Sequence, residues 1–267
     1  LITSVRATER FVSVDGSDAN DGLSRKTAFA TVQKGVDALE PGDVLTIGPG
    51  EYREAVSREN LGDMEIDTVI RAAIPGTALL RGDVPAPEFK PVEGYRYVHK
   101  ATFDQPVQAV NELDTLRILE TRPSVGGVEF NPGSFHYDAD ARTLYISASD
   151  MRPPGDHRYT VSVIESRGGL FLKWPKRVVV EGLAVTGFHS DRALSRMRGG
   201  DTFSDIIPWG VYIWLGRDSV VRDAVTYLNA GGVGIISRDR GGNVVENCVS
   251  YGNSSQFSVG TANICGK

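Results

Sequence analysis

Short runs of β-branched residues, separated by Gly, Asn or Asp, recur along the C-terminal third of the chain. Ser219–Tyr227 aligns with Asn243–Tyr251 at an offset of about 24 residues, a spacing typical of solenoid repeats. The segment Gly210–Asn253 contains both copies, and Val179–Gly187 is an earlier, degenerate copy. Each run is short and alternates apolar with polar positions, so it predicts a strand and not a helix.

A repeating unit of this size cannot bury its own apolar face, so successive copies must stack. Stacking such units builds a parallel β-helix, in which every turn of the coil adds short strands to long parallel sheets. The predicted inward positions are Leu183, Ala224 and Cys248, the outward positions are Tyr227 and Tyr251, and the bend positions are Asp223 and Asn247.

The N-terminal part of the chain is predicted to begin the same column. Phe11–Val14 alternates as a strand, and apolar residues at helical spacing predict a helix over Thr27–Leu39. Further short strands are predicted at Asp43–Ile47, Val69–Ala72 and Ala78–Gly82. Because an open solenoid end exposes core and strand edges, we expect the helix to cover that end as a cap.

The middle of the chain, residues 89–166, does not repeat. Ser134–Tyr137 and Thr143–Ile146 flank a polar turn and predict a β-hairpin within a β-rich insertion. The predicted organisation is therefore a cap with the first coils over 1–88, the insertion, and the remaining coils over 167–267.

Composition narrows the classes of function. The 267 residues carry a formal net charge of −5, which argues against a nucleic-acid partner. No apolar run approaches the roughly 18 residues of a membrane span. The chain starts at Leu1, so we expect a trimmed or mature form, secreted or periplasmic, whose signal peptide has been removed. It stops at Lys267 in the middle of a predicted coil, so we expect further coils to follow and this portion alone to lack activity.

Metal and disulfide chemistry receive little support. Asp15–Gly22 resembles a calcium loop, but position 26 is Lys where an acid is expected, so a polar turn with local Asx bonds is favoured. No two histidines have the His-x-x-x-His spacing of a zinc site. Cys248 and Cys265 lie about one coil apart, a spacing that permits either a disulfide or two buried thiols.

Two stretches resemble known families. Phe11–Glu54, with FVSVDGSDANDG and TAFATVQKGVDALEPGDVLTIGPGEYRE, resembles the N-terminal segment of right-handed parallel β-helix proteins of the pectate-lyase-like superfamily. The resemblance implies an all-β fold: a right-handed parallel β-helix with an N-terminal capping helix and the β-rich insertion. That superfamily contains lyases, hydrolases and non-catalytic members, so the fold alone does not choose among them.

The second stretch favours hydrolysis. GSFHYDADARTLYISASDMRPPGD at 133–156 and RGGLFLKWPKRVVVEGLAVTGF at 167–188 resemble the corresponding region of β-helix glycoside hydrolases of the β-xylosidase type. Glycoside hydrolysis needs two carboxyl groups that flank the scissile bond. The catalytic candidates are Asp191, Asp218 and Asp239, taken from the bends that would line a groove.

The substrate-binding candidates come from the same coils. If Val211 and Ile213 face inward, Tyr212 and Trp214 face outward and offer flat rings to a sugar. The remaining candidates are His189, Arg217, Arg238 and Arg240. The arginines suit an anionic group on the substrate. The alternatives are that the aromatic residues are covered by other segments, and that the charged bends form a solvated ladder of alternating sign.

The predicted function is hydrolysis of a polysaccharide or oligosaccharide, without a cofactor. A lyase acting on a uronate-containing glycan is the second prediction; it would use an arginine as base, with calcium as the cofactor in that case. The third is a non-catalytic β-helix for surface adhesion or assembly.

Overall fold

The computed structural model describes residues 7–190, 207–237, 241–259 and 264–265. The first strands are β1 Glu9–Val12, β2 Val44–Ile47, β3 Gly50–Tyr52, β4 Val56–Glu59, β5 Thr68–Ala72, β6 Ala78–Arg81 and β7 Asp83–Pro85. The next are β8 Lys90–Pro91, β9 His99–Thr102, β10 Ala109–Glu112, β11 Arg117–Ile118, β12 Glu120–Thr121, β13 Ser134–Asp138, β14 Thr143–Ser147 and β15 Tyr159–Ser162. The last are β16 Gly168–Lys173, β17 Val178–Glu181, β18 Ala184–Thr186, β19 Trp209–Trp214, β20 Val220–Arg222, β21 Val225–Tyr227, β22 Gly231–Ile236, β23 Val244–Glu246, β24 Val249–Tyr251, β25 Ser255–Val259 and β26 Ile264–Cys265.

Three parallel sheets, counted over these residues, form an all-β, solenoid-like column. The first sheet has the order β1-β2-β5-β17-β20-β23-β26, the second β3-β6-β18-β21-β24 and the third β4-β16-β19-β22-β25. From β2 to β25, each turn of the chain thus contributes one strand to each sheet in succession, with the insertion lying between β6 and β16. Val220 and Val221 pair in parallel register with Val244 and Val245, which confirms the stacking predicted from the repeat.

The interior of the column is apolar and continuous. Leu183 and Ala224 are fully buried in it, and Cys248 packs against it from a partly buried position. Tyr227 and Tyr251 lie on the outside, where their rings stack with centroids 5.3 Å apart and an interplanar angle of 4°. The predicted inward and outward positions are therefore confirmed.

The bends repeat as closely as the strands do. Asn60, Trp174 and Leu215 follow successive strands of the third sheet and have φ of 55°, 54° and 55°. Asp223 and Asn247, between the first and second sheets, have φ of 54° and 51°. Left-handed backbone is uncommon outside glycine, and Asn and Asp tolerate it best. Asp223 and Asn247 therefore suit the backbone geometry of their bend, and the Asn247 amide also donates to the Asp223 carboxylate.

Buried asparagines close the bends between the second and third sheets. Asn229 is fully buried, and its Oδ1 accepts from the backbone N–H of Phe188 at 3.0 Å. Its Nδ2 donates to the carbonyls of Val185 and Tyr227, both at 3.1 Å. One turn further on, the Oδ1 of Asn253 accepts from the Asn229 backbone N–H at 2.8 Å. The two asparagines thus supply the hydrogen bonds that buried bend backbone requires.

The N-terminal helix is shorter than predicted. Helix α1 spans Val32–Asp37, and Arg25–Thr27 is a separate 3₁₀ turn, so the prediction of one helix over Thr27–Leu39 was wrong. The Asp18 carboxylate accepts from the N–H of Ala30 and of Thr31, both at 2.9 Å, and holds the intervening chain extended. Glu54 then accepts from the first two N–H groups of α1 at 2.8 and 2.9 Å, which satisfies donors that a helix start leaves free.

The predicted insertion contains two small sheets, counted over the described residues, with the orders β11-β10-β15-β7 and β12-β13-β14-β9-β8. Strands β13 and β14 pair antiparallel, as the hairpin prediction required. Phe135, Leu144 and Val161 belong to a hydrophobic cluster that both sheets share. Strand β7 pairs with β15, so this sheet begins before residue 89. The second helix, α2, spans Val125–Glu129.

No helix in the described ranges is both long and apolar enough to cross a membrane.

A buried histidine of the insertion forms hydrogen bonds with two aspartates from other segments. The ring nitrogens of His157 lie 2.6 Å from Asp114 Oδ2 and 3.1 Å from Asp150 Oδ1. Burial alone lowers the pKa of His157, but these hydrogen bonds outweigh it and the net shift is upward. Both nitrogens then donate, which requires the charged imidazolium. Next to it, the Tyr159 hydroxyl donates to the buried Glu112 at 2.8 Å.

Candidate functional site

The candidate site lies on the outer face of the third sheet. Val211 and Ile213 point into the column core and are fully buried, as the alternation predicted. Phe171 and Tyr212 are neighbours in one outward row of this sheet, and Lys173 and Trp214 are neighbours in the next. Parallel pairing therefore places outward side chains of successive turns side by side.

Three aromatic side chains, Phe171, Trp174 and Trp214, form what we call the aromatic platform. The rings of Trp174 and Trp214 stack with centroids 6.3 Å apart and an interplanar angle of 17°. Phe171 stacks on Trp214 at 6.2 Å and 29°. Trp174 is 37% exposed, and Phe171 and Trp214 are partly exposed. An exposed surface of large, nearly parallel rings needs a reason, because burial would be more favourable.

Charged groups surround the aromatic platform. Lys173 Nζ lies 4.1 Å from the ring centroid of Trp174 and 5.5 Å from that of Trp214. The Arg167 guanidinium lies 5.5 Å from the Trp214 centroid. Glu59 Oε1 pairs with Lys173 Nζ at 2.7 Å. Two cationic donors thus lie over the rings of the platform, and one carboxylate acceptor is paired with Lys173 beside them.

Tyr212 lies on the outer face but is only 1% exposed, so in this structure it does not offer a ring to a ligand. It packs with Ile207 and the fully buried Trp209 in a cluster separate from the column core. The Trp209 indole covers Gly231 and Gly234 of the next turn, where an added Cβ would approach it to 2.4 and 2.6 Å. Only glycine fits at these two positions, because the indole ring lies too close for a Cβ.

His189 is buried as well. Its Nε2 lies 2.9 Å from the carbonyl oxygen of Leu228, so Nε2 carries the proton and donates it. Burial lowers the pKa of His189 to about 4, which keeps the ring neutral at neutral pH. The arrangement is that of a histidine that completes a buried hydrogen bond.

The predicted charged bends lie only partly within the described residues. Asp191, Asp239, Arg238 and Arg240 fall outside them. The side chains of Arg217 and Asp218 are 54% and 44% exposed, and Arg217 Nε lies 3.7 Å from Asp218 Oδ2. This pair is exposed to solvent, and the ladder of alternating sign stays a prediction because its second bend lies outside the described residues. In the described part of the chain, no group of three or more His, Cys, Asp or Glu side chains could hold a metal ion.

The sequence analysis did not predict several residues of the platform and its surroundings. Lys173 pairs with Trp214 one turn later, so aligning Phe171–Trp174 with Tyr212–Leu215 would have placed Phe171 and Lys173 on the outer face. Glu59 belongs to β4, which is separated from β16 by the whole insertion. No local pattern indicates that pairing.

Comparison with known proteins gives similarity in structure but not in sequence. No protein-family model matches the chain, and no curated protein matches it significantly. A solved structure described as "Glycoside hydrolase" superposes with a TM-score of 0.59 at 12% identity, covering 91% of this chain and 65% of that one. At this identity the similarity shows a shared fold alone. The chain spans less than two thirds of that protein's length.

Two further solved structures are more distant. One is "The complex structure of XylC with xylose", with a TM-score of 0.48 at 11% identity, covering 97% of this chain and 70% of that one. The other is a GH136 lacto-N-biosidase from Eubacterium ramulus, with a TM-score of 0.42 at 15% identity, covering 90% of this chain and 33% of that one. TM-scores below 0.5 do not establish a shared fold.

Proposed function

We propose that this chain is part of a carbohydrate-active enzyme that hydrolyses glycosidic bonds, with its substrate lying across the aromatic platform. The observation that carries the proposal is the pair of nearly parallel indoles, Trp174 and Trp214, on the outside of a parallel sheet. The apolar C–H faces of a sugar can stack on such rings. Lys173 and Arg167, which lie over the rings, and Glu59, which is paired with Lys173, supply donors and an acceptor for the hydroxyl groups.

We propose that the column is a right-handed parallel β-helix with a capping helix and an insertion over 89–166. Its support is the parallel pairing of successive turns and the fold shared with the structure described as "Glycoside hydrolase". We further propose that the protein is secreted or periplasmic, binds a polysaccharide or oligosaccharide, and needs no cofactor.

The chemistry we propose uses paired carboxylates. Asp191, Asp218 and Asp239 are kept as the candidates, and Glu59 joins them because it lies beside the platform. One carboxyl group would protonate the leaving oxygen, and the other would act as nucleophile or as base for water. A separation of about 5–5.5 Å between them predicts retention of anomeric configuration, and about 6.5–9.5 Å predicts inversion.

Binding tests the platform directly. Neutral and acidic oligosaccharides are titrated calorimetrically into the chain and into its W214A variant. We expect W214A to weaken binding about tenfold or more, because a stacked aromatic contact of about 2 kcal/mol is removed. F130A is the control, since Phe130 is 84% exposed but follows α2 in the insertion and is not one of the platform residues. Equal affinities of W214A and F130A for every glycan would contradict the proposal.

The reaction products distinguish hydrolysis from elimination by a lyase. A new reducing end without an unsaturated sugar supports hydrolysis, whereas ultraviolet absorbance from an unsaturated product indicates a lyase. If no glycan binds at all, the proposed function fails and a role in adhesion or assembly is favoured.

A further inference from the structure

A cavity of about 510 Å³ lies where the column meets the insertion. Arg81, the last residue of β6, lines it from the column. Phe89, Arg158 and Tyr159 line it from the insertion. This volume falls within the range of about 300–1,000 Å³ that is usual for small-molecule sites.

The walls of this cavity are rigid. Pro85, Pro87 and Pro154 belong to its lining, and each has a fixed φ. Phe89 and Tyr159 meet edge to face, with centroids 5.8 Å apart and an interplanar angle of 79°. Tyr159 is itself held by its hydrogen bond to Glu112. A ligand would therefore meet preformed apolar surfaces, with little ordering to be done on binding.

Most of the charge around the cavity is already neutralised. The Arg81 guanidinium is paired with Asp83 and with Glu51, both at 2.8 Å. His157 is held between its two aspartates. The remaining charged lining residues, Glu88 and Arg158, are exposed, and neither forms a salt bridge within the described residues. The cavity thus offers one uncompensated acceptor and one uncompensated donor.

We propose that this cavity binds one neutral sugar unit of a glycan. A sugar ring presents hydroxyl groups that both donate and accept, and its apolar faces fit walls of proline and aromatic residues. Glu88 and Arg158 carry opposite charges, so together they give the cavity no net charge that would favour a charged ligand over a neutral one. The cavity shares no lining residue with the aromatic platform, so it is an additional site and extends the proposed function. Two sites on one glycan would raise its affinity through effective concentration.

The test uses methyl β-D-glucopyranoside, methyl β-D-xylopyranoside and sodium glucuronate as probes, with ligand-observed NMR and calorimetry. We expect at least one neutral glycoside to bind the wild-type chain and W214A alike. R158A and E88Q should each weaken that binding about tenfold, because each loses a hydrogen bond to a charged group. R142A is the matched control, since Arg142 is 68% exposed at the hairpin turn and does not line the cavity.

Three results would refute the proposal that the cavity binds a sugar unit. The first is no binding of either neutral glycoside to the wild-type chain. The second is binding that W214A abolishes while R158A and E88Q leave it unchanged, which would assign it to the platform. The third is tighter binding of glucuronate than of both neutral glycosides. The proposed function fails separately, if W214A does not weaken the binding of any oligosaccharide.

Discussion

Replacing Asn229 by Ala should destabilise the column strongly. The side chain is fully buried and makes three hydrogen bonds to backbone, with Phe188, Val185 and Tyr227. Alanine satisfies none of them, and the N–H of Phe188 loses the side-chain acceptor that the structure gives it. Water would have to enter the bend to replace these bonds, and the strands on both sides are packed.

The magnitude follows from the bonds lost. Three hydrogen bonds at about 1 kcal/mol each give a loss of about 3 kcal/mol, before any further penalty for the unsatisfied donor. In a chain of this size 1 kcal/mol corresponds to about 2–4 °C in Tm, so N229A should lower Tm by about 6–12 °C. The loss is a large part of a typical stability of about 5–15 kcal/mol.

Urea unfolding followed by circular dichroism, together with a thermal scan, measures the change. The control is N247G, because Asn247 is an exposed bend residue at φ 51° and glycine accepts that conformation. We expect N247G to stay within about 0.5 kcal/mol of wild type. If N229A costs less than about 1 kcal/mol at an unchanged m value, or no more than N247G, the reasoning about the buried bend is wrong.

Two further predictions concern the insertion and the outer cluster. The pKa of His157 is raised in the folded state, so its contribution to stability is complete below the unfolded pKa of about 6.5 and is lost as pH rises through the higher folded pKa. Wild type should therefore lose more Tm between pH 6 and pH 9 than H157N does. Equal losses would refute the stabilising bridge from His157 to Asp114 and Asp150. G234A should lower stability by about 1–3 kcal/mol, because its Cβ would meet the buried Trp209 ring. G126A has open space in a helix and should be neutral or slightly stabilising, so equal Tm values for the two variants would contradict the close contact.

The amino-acid sequence by itself determined the stacking of turns. The two Val-Val segments repeat the same apolar and polar positions, and a parallel sheet pairs each position with its equivalent one turn later, so the register follows directly from the repeat. Asp223 and Asn247 mark their bend because Asp and Asn accept left-handed backbone more readily than most other residue types. The β13–β14 hairpin was predicted for the same reason, since strand alternation and turn chemistry are local properties.

Only the tertiary structure decided which outward positions are accessible. Tyr212 and Trp214 alternate identically in sequence, yet one is 1% exposed and the other belongs to the platform, because burial depends on what lies over the sheet. The N-terminal helix is short because Asp18 and Glu54, distant in sequence, satisfy the backbone donors before and at its start. The cavity forms where β6 meets the insertion. Such features come from contacts between segments far apart along the chain, which no local pattern encodes.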